Sequence, residues 1–482
     1  MSRASSPIHT DLYIGGSWRK ASAGEPIQVL DPATGAVFAE VASASVDDAL
    51  SAVASAADAL PAWSRTAPRE RGEVLRRTFE LMMQRQQSLA ELIVRENGKA
   101  MNDAVSEVRY AAEFFRWYAE EAVRALGEVS RAPSGSNRIL VQLQPIGVSV
   151  LVTPWNFPAA MATRKIGPAL AAGCTVVLKP ASDTPLTALA IAAVMQEAGA
   201  PAGVVNVIPS ARSGKVVGAM LHDPRVRKLS FTGSTEVGRV LLAQAADCIV
   251  SSSMELGGNA PFLVFDDADV EAAVAGAMIA KMRNGGQACT AANRFLVQKG
   301  IAPAFVQRFT EAMRAVKVGN GLESGVGLGP LINAAACNTV QELVDDAVGS
   351  GARVLTGGRK LDGKGYFYPP TVLDRVQSGS RILTQEIFGP VAPIIEFETE
   401  QQGIELANAT EYGLVSYLYT SDLRRGLRVA EQLEAGMVGL NRGVVSDPAA
   451  PFGGVKQSGL GREGSHDGLL EFLEKKYIAL DW

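Results

Sequence analysis

Gly147-Val-Ser-Val-Leu-Val152, Thr175-Val-Val-Leu178, Val204-Val-Asn-Val-Ile208 and Lys228-Leu-Ser-Phe231 decide the fold. Each is a short apolar run, the pattern of a strand covered on both faces in a parallel sheet. Each is followed by a helical stretch: Ala160–Ala172, Pro185–Ala198, Ser213–Leu221 and Thr235–Ala246. Four strand-helix repeats specify a doubly wound α/β unit, whose ligands sit beyond the carboxyl ends of the strands. Those ends carry Thr153–Asn156, Lys179–Ser182, Pro209–Gly214 and Thr232–Ser234, the predicted cofactor crevice. The usual GxGxxG is missing. Instead, Phe231-Thr-Gly-Ser-Thr-Glu-Val-Gly238 sets Gly233 and Gly238 beside a helix start, with Ser234 and Thr235 as caps, so that backbone N–H groups can meet a pyrophosphate. Alone, such a sequence is only a helix cap. Its position after four repeats raises the cofactor reading.

Towards the N-terminus, a polar tail (Met1–Thr10) precedes two predicted strands, Asp11–Trp18 and Ile27–Leu30. Helices are predicted from Ser45 to Trp63, Pro68 to Met83, Leu89 to Asn97 and Asp103 to Ala125. Phe114, Phe115, Trp117 and Tyr118 form an aromatic group read as core or subunit packing. Arg131–Asn137 is a turn-rich break, and Ile139-Leu-Val-Gln-Leu-Gln144 alternates like a strand with one wet face, suggesting an arm that leaves the domain.

Towards the C-terminus, Met254–Pro261 closes the unit, and a helix from Asp269 to Lys281 leads into the loop around Cys289. A second α/β block has helices at Ala302–Val316, Asn333–Gly349 and Leu423–Glu434. Its strands are near Arg353–Thr356, Val391–Phe397, Ser416–Tyr419 and Met437–Leu440. The segment Gly468–Trp482 is more apolar than a free tail and is expected to dock on the arm of another subunit.

Composition excludes several classes. A chain of 482 residues exceeds one core and implies two or three domains, and 47% hydrophobic with 20% charged residues is ordinary for a globular protein. A net charge of -4, with dispersed Lys and Arg, gives no footprint for nucleic acid or an anionic membrane. The longest weakly polar run, Gly167–Leu178, is too short to span a bilayer. Cys174, Cys248, Cys289 and Cys337 form no CxxC, and His9, His222 and His466 stand at no ligand spacing to them. No metal or disulfide framework is predicted, and a reducing, cytoplasmic home is expected.

Cys289 lies in Lys281-Met-Arg-Asn-Gly-Gly-Gln-Ala-Cys-Thr-Ala-Ala-Asn-Arg294. Gly285, Gly286 and small neighbours leave room for a flat electrophile at the sulfur, and the turn's N–H groups can stabilise an oxyanion. The competing reading is a small buried hydrophobe.

Six motifs decide between these. Thr153-Pro-Trp-Asn-Phe-Pro158, Phe231-Thr-Gly-Ser-Thr-Glu236, Glu255-Leu-Gly-Gly-Asn259, Gly286-Gln-Ala-Cys289, Glu386-Ile-Phe-Gly-Pro390 and Pro451-Phe-Gly-Gly-Val-Lys456, in this order, resemble the aldehyde dehydrogenase superfamily over nearly the whole chain. Within it, Ser446, Ala450–Gly454 and Lys456-Gln-Ser-Gly-Leu-Gly-Arg-Glu-Gly464 are most similar to the succinate-semialdehyde dehydrogenases. The resemblance implies a Rossmann-like cofactor domain (1–127 and 147–254), an α/β catalytic domain (255–455) and a β-strand oligomerisation arm (128–146 and 456–482), assembled as homodimers or homotetramers.

It also implies roles. Cys289 as thiolate would attack an aldehyde, Asn156 and the Cys289 N–H would hold the oxyanion, and Glu255 would activate water on the thioester. By residue type alone, Glu255 would be a surface charge or cap partner and Asn156 a turn residue. Thr153, Pro154, Trp155, Asn156, Lys179, Ala181, Ser182, Gly233, Ser234, Val237, Leu256, Glu386 and Phe388 are expected at the dinucleotide. For Glu386 and Phe388 the plain alternatives are an ion pair and a core aromatic. Ser182 stands where a Glu would repel a 2′-phosphate, so NADP is expected, with NAD the alternative. Arg212 is read as a solvated surface arginine near the same crevice.

Arg164, Arg283 and Ser446 match positions that hold a distal carboxylate, which suits arginine's planar fork. Two departures stand out. Ala291 replaces a second cysteine found in some relatives, and Arg442 follows Asn441 where a smaller or acidic residue is expected. The expected reaction is oxidation of succinate semialdehyde to succinate. The alternatives are glutarate semialdehyde or a broad aliphatic range. An acylating reductase is opposed by Glu255, and a non-catalytic relative by the trio Cys289, Glu255 and Asn156.

Overall fold

A strand with five consecutive buried residues, such as Val148–Val152, needs cover on both faces. The computed structural model describes residues 8–481 and supplies that cover. Val148, Val150 and Val152 pack with Ala49, Val53, Val216 and Leu241, while Leu151 packs with Ile166, Leu170 and Leu189 on the opposite side. The start of the predicted polar tail (residues 1–7) and Trp482 lie outside the described residues.

The first sheet runs Ser17–Arg19, Leu12–Ile14, Val205–Val207, Thr175–Lys179, Val148–Val152, Val226–Thr232, Ser251–Glu255, Gly459–Leu460. Its five central strands are parallel. The chain builds outward from Val148–Val152 in one direction and returns to its other side with Val226–Thr232. That reversal opens a crevice at the carboxyl ends. The doubly wound expectation is borne out, including the helix Ser213–Leu221 to the residue.

The second sheet runs Arg353–Thr356, Thr371–Asp374, Val391–Phe397, Ala292–Gln298, Ala260–Val264, Val415–Tyr419, Met437–Leu440. Two of its central strands, Ala260–Val264 and Ala292–Gln298, were not anticipated. Asn293 and Arg294 break the apolar run of the latter, yet both are buried. Arg294 is tolerated there because its guanidinium donates to the carbonyls of Asn259, Leu406 and Ala407.

The alternating segment forms the middle strand (Arg138–Pro145) of a three-stranded sheet, between Glu128–Arg131 and Leu473–Leu480. The C-terminal strand departs from expectation. It pairs antiparallel with its own chain's Arg138–Pro145 through eight register pairs, so that edge is met within the chain. Phe114, Phe115 and Tyr118 are core residues, as read from sequence.

The site is positioned by acids that cap helices from a distance. Glu107 accepts from the N–H groups of Ala159 at 2.9 Å and Ala160 at 3.3 Å, at the start of the helix Pro158–Ala172. Glu96 does the same for the helix Pro185–Glu197, accepting from Leu186 N–H at 2.8 Å and Thr187 N–H at 2.9 Å. A negative group at a helix N-terminus satisfies orphan donors and the dipole together. Glu107 is also ion-paired with Lys99, both side chains fully buried. Glu107→Gln would leave the Lys99 ammonium buried without its counter-charge, at a cost of about 3–5 kcal/mol. Its thermal midpoint is expected to fall, and adding Lys99→Met is expected to restore much of the loss. Equal midpoints for wild type and the single variant would contradict this account.

Candidate active site

The helix Val270–Met282 runs into three successive left-handed residues, Asn284 (φ 51°), Gly285 (φ 63°) and Gly286 (φ 76°). Gly286 is required, because a Cβ there would lie 2.2 Å from the Gly389 carbonyl. Asn284 bears the strain because both its ends are held. Its N–H donates to Asp103 at 2.9 Å, and its amide donates to the Asn156 carbonyl at 2.8 Å. The loop then delivers Cys289, half-buried and unpaired, with its carbonyl 2.4 Å from where a Gly258 Cβ would stand. Burial pushes the Cys289 thiol up to about 12, with Arg164 and Arg283 pulling down and Glu386 and Glu255 pushing up. At rest it is a thiol.

Asn156 is tied to the same loop. Its side-chain amide donates to the Gln287 carbonyl at 3.1 Å, and its Oδ1 accepts from the Phe157 N–H at 3.1 Å. One of the two amide hydrogens is thus committed, two residues from the cysteine.

Glu255 ends the strand Ser251–Glu255, opposite Thr232 and Gly459. Its side chain is buried and its Oε2 makes no hydrogen bond. Burial and then the Glu463 charge hold its carboxyl well above the usual range, against Arg164, Lys165 and Arg462. Glu463 itself is ion-paired with both Arg164 and Lys165, which keep it below the usual range despite its burial. Lys165 also donates to Ser230 at 2.9 Å. The sequence reading missed Lys165 and Glu463. A signal existed, since Arg164-Lys165 puts two cations side by side in a helix whose fifteen residues are all buried.

The residues expected at a dinucleotide lie at the carboxyl ends of the first sheet's strands and on the loops that meet them. Lys179 is 5% exposed, and its ammonium makes no ion pair or hydrogen bond among the described residues. Burial lowers its ammonium to about 8, with Asp183 opposing. A buried cation without a partner fits an anionic ligand. Ser182 Oγ donates to the Ser210 carbonyl at 3.1 Å, beside Ala181. Thr153 N–H donates to the Lys179 carbonyl at 3.3 Å, joining two strand ends. Ser234 caps the helix Thr235–Asp247 by accepting from Val237 N–H at 3.4 Å, and Val237 stands exposed on its first turn. Gly233 and Gly238 leave no room for a Cβ against Phe231 and Leu256. Glu386 accepts from Gly258 N–H at 3.3 Å, and burial pushes it up to about 8. Phe388, with φ 51°, meets the Trp155 ring edge-on at 5.5 Å, next to Pro154. Arg212 is exposed, as read.

A cavity of about 730 Å³ lies where the helix Val270–Met282 meets the cysteine loop, lined by Tyr110, Phe157, Met282, Arg283, Val444 and Ser446. Arg283 lies 3.4 Å from Ser446 Oγ and 4.7 Å above the Phe157 ring. The structure therefore brings Arg283 and Ser446 together. Arg164 is placed differently, with its guanidinium paired to Glu463 and 4.2 Å from the Phe452 ring, although it still acts electrostatically on Cys289. Arg442 is exposed and donates to the Val444 carbonyl at 2.9 Å, so it shapes the backbone of the cavity wall and does not enter it.

Comparison with known proteins identifies relatives of the whole fold. The family model described as "Aldehyde dehydrogenase family" matches residues 18–478. A succinate-semialdehyde dehydrogenase of Paenarthrobacter nicotinovorans is 54% identical over 444 residues, covering 92% of this chain and 99% of that one. A glutarate-semialdehyde dehydrogenase of Pseudomonas aeruginosa is 50% identical, covering 97% of both chains. A solved structure described as an NADP dependent enzyme of E. coli superposes with a TM-score of 0.97 at 47% identity over 98% of both chains. With a family match over residues 18–478 and a relative 54% identical over 92% of its length, the chain belongs to the aldehyde dehydrogenase family.

Proposed function

We propose that the protein oxidises succinate semialdehyde to succinate with NADP, through a thioester on Cys289. The observation that carries this is the Arg283–Ser446 pair in a cavity beside the start of the cysteine loop. A guanidinium beside a hydroxyl holds a carboxylate, and a short chain then sets the aldehyde carbon at the sulfur. Arg164 adds positive potential from the far side of Cys289. The Paenarthrobacter and Pseudomonas relatives support a semialdehyde substrate, and the five-carbon homologue is the second reading.

In this reading Cys289 loses its proton as the ligands displace water, and the thiolate adds to the carbonyl carbon. The second hydrogen of the Asn156 amide and the Cys289 N–H hold the oxyanion. The nicotinamide supplies the hydride acceptor when bound, with Glu386 and Phe388 positioning it. Glu255 then takes a proton from the water that attacks the thioester, and Glu463 with Lys165 offers that proton a way out. Lys179 and Ser182 would hold the 2′-phosphate, and the E. coli enzyme supports NADP.

The same reading divides the chain into a cofactor domain (1–127 and 147–254), a catalytic domain (255–455) and an arm (128–146 and 456–482). The wholly exposed strand Glu128–Arg131, which carries Val129 and follows exposed Leu126, supports self-association as a homodimer or homotetramer. Four free cysteines support a reducing, cytoplasmic home.

A panel of four-carbon, five-carbon and uncharged aldehydes, run with NAD and NADP, tests the assignment. The four-carbon semialdehyde with NADP is expected to give the highest kcat/KM, and equal rates with butanal would reject the carboxylate cavity. Ser182→Glu is expected to shift the cofactor ratio towards NAD by roughly tenfold or more, through loss of a charge-assisted hydrogen bond and added repulsion.

Glu255→Gln is expected to keep a single-turnover burst of reduced nicotinamide and to slow steady turnover by about a hundredfold or more. Both Cys289 and Glu255 work deprotonated and both are pushed upwards, so wild-type kcat is expected to rise with pH through neutrality. A flat profile from pH 6 to 9, or a variant without a burst, would contradict these roles.

A further inference from the structure

We propose that Asn284 is a positioning residue for the oxyanion, the side chain that keeps the Asn156 amide aimed. The proposal rests on the reading above that the second hydrogen of that amide holds the oxyanion. Two bonds fix the amide plane of Asn156. Its Nδ2 donates to the Gln287 carbonyl at 3.1 Å and its Oδ1 accepts from the Phe157 N–H at 3.1 Å, so a flipped amide would set oxygen against oxygen and N–H against N–H. The direction of the free hydrogen is therefore set by where the Gln287 carbonyl lies.

Asn284 sets that place. Its side-chain amide donates one hydrogen to the Gln287 carbonyl at 3.2 Å and the other to the backbone carbonyl of Asn156 at 2.8 Å. One side chain thus links the backbone of the residue that supplies the oxyanion donor to the carbonyl that orients that donor. Both groups it faces are carbonyls, so only its NH2 end can meet them. Its own Oδ1 is buried without a partner, a cost that the two donated bonds must offset. The backbone of Asn284 cannot drift. Asp103 accepts from its N–H at 2.9 Å, and its carbonyl accepts from the backbone N–H and the side-chain Nε2 of Gln287, at 3.1 and 3.2 Å. Gln287 is tied in turn through its Oε1, which accepts from the Ile332 N–H at 3.0 Å. With φ at 51°, the position favours Gly or Asn among uncharged residues, and of those only Asn carries two amide hydrogens.

The test uses full-length Asn284→Gly, which keeps the left-handed backbone and removes only the side chain. With succinate semialdehyde and saturating NADP, the single-turnover rate of nicotinamide reduction is expected to fall about tenfold to a hundredfold, short of the full loss of an oxyanion donor. Alkylation of Cys289 by iodoacetamide, followed on its own peptide by mass spectrometry, forms no oxyanion and is expected to stay within about twofold of wild type. Unchanged nicotinamide reduction would overturn the proposal. So would an alkylation rate that falls in step with it, because that marks a loop that has lost its shape. Asn156→Ala, run alongside, separates the two claims. If it reduces nicotinamide at the wild-type rate, the oxyanion reading falls and this proposal with it, whereas a slow Asn156→Ala beside a fast Asn284→Gly rejects Asn284 alone.

Discussion

The carbonyl oxygen of Asn156 receives two donors, the Lys99 ammonium at 2.8 Å and the Asn284 amide at 2.8 Å. This one acceptor joins the first sheet's crevice loop, the N-terminal helices and the cysteine loop. Lys99 is held by Glu107, which caps the helix Pro158–Ala172, and Asn284 is held by Asp103. The neighbouring carbonyl of Trp155 is gathered by Asn97 at 3.0 Å and Thr184 at 3.3 Å. Two successive carbonyls of a loop without regular secondary structure are thus each held by two side chains, which helps fix its geometry in the interior. The strained turn from Asn284 to Gly286 is stable only because this network over-determines it.

Charge is the second theme. Arg164, Lys165, Glu255 and Glu463 are all buried within a few residues of one another in space, and isolated burial of any one would be prohibitive. Two cations around one fully ionised acid leave Glu255 as the group whose charge state is free to change. An acid raised by its surroundings and set against a reservoir of fixed charges is the arrangement expected of a proton carrier. The thiol is raised in the same way, so both groups are held towards their protonated forms until ligands fill the site.

Much of this was legible in the sequence. The strand-helix repeats gave the first sheet because apolar runs of this length have few other uses, and the capping sequence at Ser45 fixed the start of the helix Val46–Arg65. The six motifs located the cysteine, the acid and the asparagine together. What stayed hidden shares a physical cause. Ala292–Gln298 carries a buried arginine satisfied by carbonyls more than a hundred residues away, and Glu463 meets its partners across 298 residues. Local periodicity cannot register compensation at that range. The pairing of Arg164 with Glu463 is likewise set by a neighbour distant in the chain.

The ion pair spanning 298 residues also bears on how the protein comes to be. The helix Pro158–Ala172 lies wholly inside, yet two of its side chains remain uncompensated until Glu463 has been synthesised. The first sheet can collapse early, but its centre stays electrostatically unfinished while the second sheet is still being made. Such a nascent chain is held in a partly formed state, with apolar strands in place and cations searching for an acid. That couples the appearance of activity to the final closure of the fold.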